Sequence, residues 1–506
     1  MIRKASNLVS IRRRLDKEPQ YGGNLDGKTD SKAYNSILEL VGNTPLVKLN
    51  YLSKHYDLQC DVYAKCEFMN PSGSIKDRIA LSMIKDAKKN GVVNDDTEFV
   101  EPTSGNTGIG IAFNAALSGN KCIIVTEEKN SSEKVNTLNL LGAQVIQVKN
   151  NSLELSIARK LKDDNPDTVV MLNQFDNDVN PRTHYEHTGG EIISALSALG
   201  SVDVVVMGAG TGGTMTGVAD KLKENNPKCI VVAVEPDGSI MINKNGKPHP
   251  FLVEGVGGTW VPIVLDPSVI DHVEVVTDKE AFLMSRELAQ KEGLLCGGSS
   301  GLAMCGAIKA IKKLKIGAGK RVVVILPDGI RNYMSKFVSD PWMEAHFFQE
   351  PPKHTMKWWT NPIEDIVLSR TYPKLNTSYS CAHAVETMNA KNVDIAVIID
   401  SLGKFVGAVS KNSLRNKATN PTKLPGQNSE DLDFSDLVTE HLDKHVYTLP
   451  DKAKGGKPTI GLLSRVLDIT PFVIIGKTGS NVNDFVPSGV VTGDDVLDYI
   501  YEQSKY

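Results

Sequence analysis

The chain reads as an α/β protein with a second, repeated module, and three observations predict this. First, between about residues 36 and 340, short β-branched runs alternate with helical segments. Strand candidates cover 62–65, 122–126, 144–148, 202–207, 229–235 and 321–326; helix candidates include 78–90, 107–118, 132–141 and 214–225. Alternation at this spacing predicts parallel sheets. Second, glycine- and hydroxyl-rich clusters stand where strands hand over to helices, at Ser104-Gly105-Asn106-Thr107-Gly108 and at Gly208-Ala209-Gly210-Thr211-Gly212-Gly213-Thr214. Third, the C-terminal part repeats itself. Ile395-Ala396-Val397-Ile398-Ile399 leads to Gly407-Ala408-Val409-Ser410, and Phe472-Val473-Ile474-Ile475-Gly476 leads to Gly489-Val490-Val491-Thr492. Two such units can bury their sheet faces against each other, whereas one alone would be marginal.

At 506 residues the chain is too long for one compact domain. The expected division is a flexible basic tail over 1–35, a main α/β domain over 36–340, a linker over 341–362 and the repeat module over 363–506. Within the module, repeat one is expected at about 363–418 and repeat two at about 432–506, with polar loops at 416–431 and 477–484. The tail carries Arg3, Lys4, Arg12, Arg13 and Arg14 and reads as a basic tail rather than an organellar presequence. The linker holds Trp342, Phe347, Phe348, Trp358 and Trp359, which argues for a docked segment.

A net charge of −3 gives no electrostatic case for nucleic acid or a membrane surface. No apolar run approaches the roughly 20 residues of a membrane span. Seven cysteines, scattered and without a C-x-x-C pair, argue for reduced thiols in a cytoplasm and against a disulfide framework or metal site. Cys296 reads as a small buried hydrophobe.

The chemistry centres on Lys76, in Asn70-Pro71-Ser72-Gly73-Ser74-Ile75-Lys76-Asp77-Arg78. A lysine at a helix start, partly desolvated, becomes nucleophilic. Backbone N–H groups at two further helix starts suit anions. A lysine with two anion cradles is what holds an aldehyde cofactor bearing a phosphate, pyridoxal 5′-phosphate (PLP). Asn106 could donate to the cofactor's ring oxygen. Gly208, Gly210 and Gly213, with Glu235 ending the next strand, also fit a dinucleotide fingerprint. That reading leaves Lys76, the 104–108 cluster and Gly297-Gly298-Ser299-Ser300-Gly301 without a task; the PLP reading employs all four. Ser299 would face the pyridine nitrogen. A neutral hydroxyl there favours β-elimination and β-replacement over transamination.

In combination and in this order, Ser-Ile-Lys-Asp-Arg, Glu-Pro-Thr-Ser-Gly-Asn-Thr-Gly, Gly-Thr-Gly-Gly-Thr and Gly-Gly-Ser-Ser-Gly resemble the fold-type II PLP family, with its tryptophan synthase β-like catalytic domain. Leu326-Pro327-Asp328 and Arg331-Asn332-Tyr333 fit as well. With a C-terminal tandem CBS (Bateman) module, residues 36–506 resemble the cystathionine β-synthases. The resemblance implies Lys76 as Schiff-base lysine and proton shuttle, Asn106 on the ring oxygen and Ser299 on the ring nitrogen. It implies Gly210, Thr211, Gly212, Gly213 and Thr214 on the phosphate, and Thr103, Ser104, Gly105, Thr107 and Gln174 on the substrate. The implied reaction joins L-serine and L-homocysteine to L-cystathionine in transsulfuration, with release of hydrogen sulfide from cysteine plus homocysteine as a further capacity. A homodimer or larger homo-oligomer is implied too.

This chain departs from that pattern in places. Its first cysteine and histidine, Cys60 and His55, lie inside the main domain, so no haem is expected. Gln174-Phe175 and Gly257-Gly258-Thr259 resemble the O-acetylserine sulfhydrylases, which makes O-acetylserine an alternative donor and cysteine synthase an alternative activity. Thr492 and Asp495 match the pattern that holds an adenosyl ribose, while the first repeat has Ser413 where aspartate is expected. At most one nucleotide site is implied. An inert nucleotide-sensing regulator is the alternative of another class, and intact Lys76, Asn106 and Ser299 argue against it.

Overall fold

In the computed structural model the described residues are 33–505, apart from 104, 129, 149–150, 367–370, 420–431, 444–445, 451–457 and 479–483. Most of the expected basic tail, Ser104 and most of the 416–431 loop lie outside them. The chain divides into two units, 1–40 and 41–506. Within the described part of the first, Ile37–Leu40 forms a 3₁₀ turn.

In the second unit the first ten strands are β1 (Leu46–Lys48), β2 (Asp61–Cys66), β3 (Glu98–Pro102), β4 (Lys121–Glu127), β5 (Gln144–Val148), β6 (Val169–Met171), β7 (Val204–Gly208), β8 (Ile230–Pro236), β9 (His272–Val276) and β10 (Arg321–Leu326). They build a six-stranded sheet, β1-β2-β10-β7-β8-β9, and a four-stranded sheet, β5-β4-β3-β6. The β1–β2 pair is antiparallel and the other pairs are parallel. Both faces of the large sheet are covered. Val204, Val206, Val322 and Val324 enter one core, and Val205, Met207, Val323 and Ile325 the other. Burial on both faces is why these strands are continuous apolar runs. In the smaller sheet Phe99 and Ile124 face one core and Val100, Ile123 and Val125 another.

Four helices position the site: α1 (Lys76–Lys89), α2 (Asn106–Ser118), α3 (Gly213–Asn225) and α4 (Gly298–Lys313). Helices α2 and α3 follow the C-terminal ends of β3 and β7, where parallel sheets place ligands.

Strands 144–148 and 321–326 fall where the sequence predicts them. β1 and β6 escape it because three residues carry too little pattern, and β9 because its alternating His-Val-Glu-Val-Val is half exposed.

The C-terminal region holds two three-stranded sheets. One joins β11 (Lys374–Asn376), β12 (Ile395–Ile399) and β13 (Phe405–Ser410); the other joins β14 (Tyr447–Pro450), β15 (Phe472–Thr478) and β16 (Phe485–Thr492). Each pairs parallel, then antiparallel. Val397, Ala408, Ile474 and Val490 share one core, so the two sheets bury their faces against each other.

The boundary segments are exchanged relative to the expected repeats. Ile363 and Ile366, placed by sequence in repeat one, pack in the core of the second sheet with Leu449 and Val473. Val438, placed in repeat two, packs in the core of the first sheet with Cys381 and Val409. The reason is local: each three-stranded sheet leaves one apolar flank, and the neighbouring half's segment covers it. The linker is docked through α5 (Asp340–Ala345), whose buried Glu344 accepts from Arg465 Nε at 3.0 Å on α6 (Ile460–Leu467).

Candidate active site

Lys76 opens α1, whose start carries no side-chain cap. Ile75 N–H donates to Pro327 O at 2.8 Å, tying the turn before it to the end of β10. Two residues on, Arg78 is buried in an ionic cluster. Its Nε meets Glu67 Oε2 at 2.7 Å and its Nη2 meets Glu191 Oε2 at 2.7 Å, while Lys65 Nζ from β2 meets the same Glu191 oxygen at 2.6 Å. This cluster fixes α1 against the large sheet and so aims Lys76. Burial pushes the Lys76 ammonium down to about 8, and among the described residues no carboxylate lies within ion-pair reach. About a tenth of the amine is therefore neutral and nucleophilic at pH 7, far more than for an exposed lysine.

Lys76 faces a cavity of about 1000 Å³. Asn106, Thr107, Gln174, Gly210, Thr211 and Ser299 line the same cavity, from β3–α2, the loop after β6, β7–α3 and the start of α4. Asn106 Nδ2 donates to Asp328 Oδ2 at 2.8 Å and its Oδ1 accepts from Asn332 Nδ2 at 3.0 Å, which fixes the amide and leaves one N–H. Thr107 Oγ1 donates to Gln174 Oε1 at 2.6 Å. Thr103 and Gly105 sit behind the wall: Gly105 N–H donates to Thr103 Oγ1 at 3.2 Å, so this hydroxyl shapes the loop.

The Gly210–Thr214 stretch can only be glycine-rich. Gly212 adopts φ +91°, and a Cβ on Gly210 would collide with the Gly255 carbonyl oxygen. The N-caps of α2, α3 and α4 are Gly105, Gly212 and Gly297, none with a side-chain cap bond. Three helix starts thus keep N–H groups for an anion. These features fit PLP. They do not suit a dinucleotide, because Glu235 is buried and accepts from its own loop, at Ser239 Oγ (2.5 Å), Ile242 N (3.0 Å) and Asn243 N (2.7 Å).

Several further residues bear on the site. Phe175 and Trp260 pair across the cavity wall at 5.3 Å. Buried Glu101 accepts from Asn173 N and Gln174 N, each at 2.9 Å, and burial pushes its carboxyl up to about 7. Asn180 and His184 stand behind the 210–214 loop. Only their contacts across the fold reveal them. Cys296 is fully buried, and burial pushes its thiol up to about 12.

Elsewhere, Thr492 and Asp495 form a capping box: Thr492 N and Oγ1 both donate to Asp495 Oδ2 at 2.8 Å. Asp436, Glu440 and His441 cluster nearby in sequence to β14, but His441 Nε2 is already hydrogen-bonded to Asp436 Oδ2 at 2.8 Å. Among the described residues no helix is long and apolar enough to cross a membrane.

Parallel sheets, a desolvated lysine and glycine-started helices around one cavity define a PLP-dependent enzyme. Residues 37–328 match the family described as pyridoxal-phosphate dependent enzyme. A cystathionine beta-synthase of Apis mellifera is 39% identical, over 88% of this chain and 87% of its own length. One of Rattus norvegicus is 38% identical, over 91% and 81%. The crystal structure of an O-acetylserine dependent cystathionine beta-synthase from Helicobacter pylori superposes with a TM-score of 0.56 at 36% identity, covering 60% of this chain and 99% of that one. The chain belongs to the cystathionine β-synthase family of PLP-dependent lyases.

Proposed function

We propose that the chain condenses L-serine with L-homocysteine to L-cystathionine, by replacing the hydroxyl on the β-carbon with the thiol. The observation that carries this is Lys76 facing one cavity with Asn106, Gln174, Thr211 and Ser299, in a chain of this family. When bound, PLP supplies the electron sink that makes the substrate's α-proton removable. Lys76 Nζ would hold the cofactor's aldehyde and would serve as the base that takes that proton. Asn106 would hold the ring oxygen, Ser299 Oγ the ring nitrogen, and the loop Gly210, Thr211, Gly212, Gly213 and Thr214 the phosphate. Thr107 and Gln174 would take the substrate carboxylate, on a loop shaped by Thr103 and Gly105; Ser104 is given the same role from the sequence alone.

O-acetylserine is a second donor in this reading. A Cβ on Gly258 would meet nothing closer than 3.9 Å, so the cavity has room there for a larger leaving group. We assign residues 36–340 to catalysis, 341–362 to the linker and 363–506 to a tandem CBS regulatory module. The nucleotide reading of Thr492 and Asp495 rests on their motif alone, since both are engaged as a helix cap. Exposed Leu140, Ile263 and Leu295 support self-association as a homodimer or larger, and seven free cysteines support a cytoplasmic setting.

The test is an absorbance spectrum of the purified chain with and without L-serine, beside Lys76→Ala. The expected result is a visible band of lysine-bound PLP that shifts with serine, returns with homocysteine and is lost in the variant. A band that responds to O-acetylserine alone would move the assignment to cysteine synthesis, and absence of any band would overturn it.

A further inference from the structure

Behind the 210–214 loop runs a helical segment, Val179–Thr183, that continues into a π-helical turn, His184–Gly189. Asn180 and His184 are four residues apart on it, on one face, and both are fully buried. Each touches a different threonine of the loop. Asn180 Nδ2 donates to Thr211 Oγ1 at 3.1 Å, and His184 Nε2 lies 3.1 Å from Thr214 Oγ1.

From these contacts we infer that Asn180 and His184 are positioning residues that turn the hydroxyl protons of Thr211 and Thr214 outward, toward the cofactor phosphate. The inference rests on the reading of 210–214 as the phosphate cradle.

A threonine hydroxyl has one proton and two lone pairs. When its oxygen accepts from behind, its proton is left for the front. For Thr211 the direction is fixed. Asn180 Nδ2 also donates to Gln174 O at 2.8 Å, and a carbonyl can only accept, so this end of the amide is the NH2 group. Asn180 Oδ1 finds no donor although it is buried. The residue serves through its nitrogen and is left unsatisfied at its other end.

His184 has a second partner, Thr188 Oγ1, 2.9 Å from Nδ1. Burial first, and the nearby Lys76 charge second, hold the imidazole well below its ordinary range, so it is neutral with one N–H. An anion on the loop accepts a hydrogen bond from the Thr214 hydroxyl. Thr214 Oγ1 must then accept from Nε2–H, and Nδ1 must accept from Thr188. A bound phosphate therefore selects one tautomer and aligns Thr188, His184 and Thr214 as a run of donors in one direction.

The packing is arranged for this approach. A Cβ on Gly213 would overlap the Asn180 side-chain amide, and one on Gly217 would overlap the Pro181 carbonyl and crowd the His184 side chain. Two glycines inside α3, each unfavourable for a helix, let the Asn180–His184 face come close enough to reach the hydroxyls.

The test titrates PLP, and separately unphosphorylated pyridoxal, into the full-length apoenzyme and reads affinity by tryptophan fluorescence. Asn180→Leu and His184→Phe are each expected to weaken PLP about tenfold, the size of one lost hydrogen bond, while pyridoxal affinity stays unchanged. His184→Gln, which keeps a donor, should recover most of the loss. Thr188→Val is the milder variant for the case in which His184→Phe does not fold, and it should also weaken PLP selectively. Equal losses for PLP and pyridoxal, or none, would overturn the inference. Thr211→Val and Thr214→Val are the control: if neither reduces the preference for PLP over pyridoxal, the cradle reading fails as well.

Discussion

Helices around the cavity begin differently from those of the C-terminal repeats. Around the cavity, α2, α3 and α4 start from glycines with no side-chain cap, and α1 starts from Ile75, also uncapped. In the two C-terminal repeats every described α-helix start is closed by a hydroxyl. Ser380 accepts from His383 N, Ser410 from Ser413 N, Thr459 from Leu462 N, and Thr492 forms its box with Asp495. A hydroxyl cap satisfies a helix locally; a bare start must be held by the rest of the fold and keeps its N–H groups for something else. The contrast separates the part of the molecule built to receive an anion from the part whose helix starts are complete in themselves.

The comparison can be broken at the bare end first. Arg78→Met removes the cation shared by Glu67 and Glu191 and should cost about 3–5 kcal/mol, read from the urea midpoint. A loss under about 1 kcal/mol would mean that α1 is held by other means. Next, Gly210→Ala drives a Cβ into Gly255 O and should weaken PLP about a hundredfold in apoenzyme titrations, near 2.7 kcal/mol.

Smaller still is the effect of pH on Lys76. Below about 8 its amine is protonated and cannot attack an aldehyde; above it the amine is free. The rate of PLP uptake should fall about tenfold per unit below that value and level off above it. A flat profile from about pH 6 to 9 would remove burial as the source of its reactivity. At the capped end, Thr492→Ala should lower stability by about 1 kcal/mol and leave PLP affinity untouched. Gly493→Ala, where an added Cβ meets open space, should change stability by less than about 0.5 kcal/mol.

How much of this was legible depends on whether the signal is local. The central strands were readable because burial on both faces writes a continuous β-branched run, as in Val322–Leu326. The placing of Lys76, Asn106 and Ser299 at helix starts was readable because glycine-rich turns announce bare helix starts. Asn180 and His184 were not, since nothing in Val-Asn-Pro-Arg-Thr-His marks which polar residue turns inward; only the approach of α3 decides it. Thr492 and Asp495 illustrate a different limit: threonine followed three residues later by an acid has the same local appearance as a ribose site and as a helix cap, and the hydrogen bonds here show the cap.

The crossing of the linker over the first repeat sets the order in which the protein can be completed. Ile363 N donates to Pro458 O, and Ile460 N to Asn361 O, so the segment leaving the catalytic half waits roughly a hundred residues for its mate. During synthesis, Ala345 and Ile363 remain uncovered until the second sheet has emerged, and so does the face of the first sheet that packs against it. A chain stopped after residue 419 should therefore be more prone to aggregate than one stopped before residue 340, despite being longer.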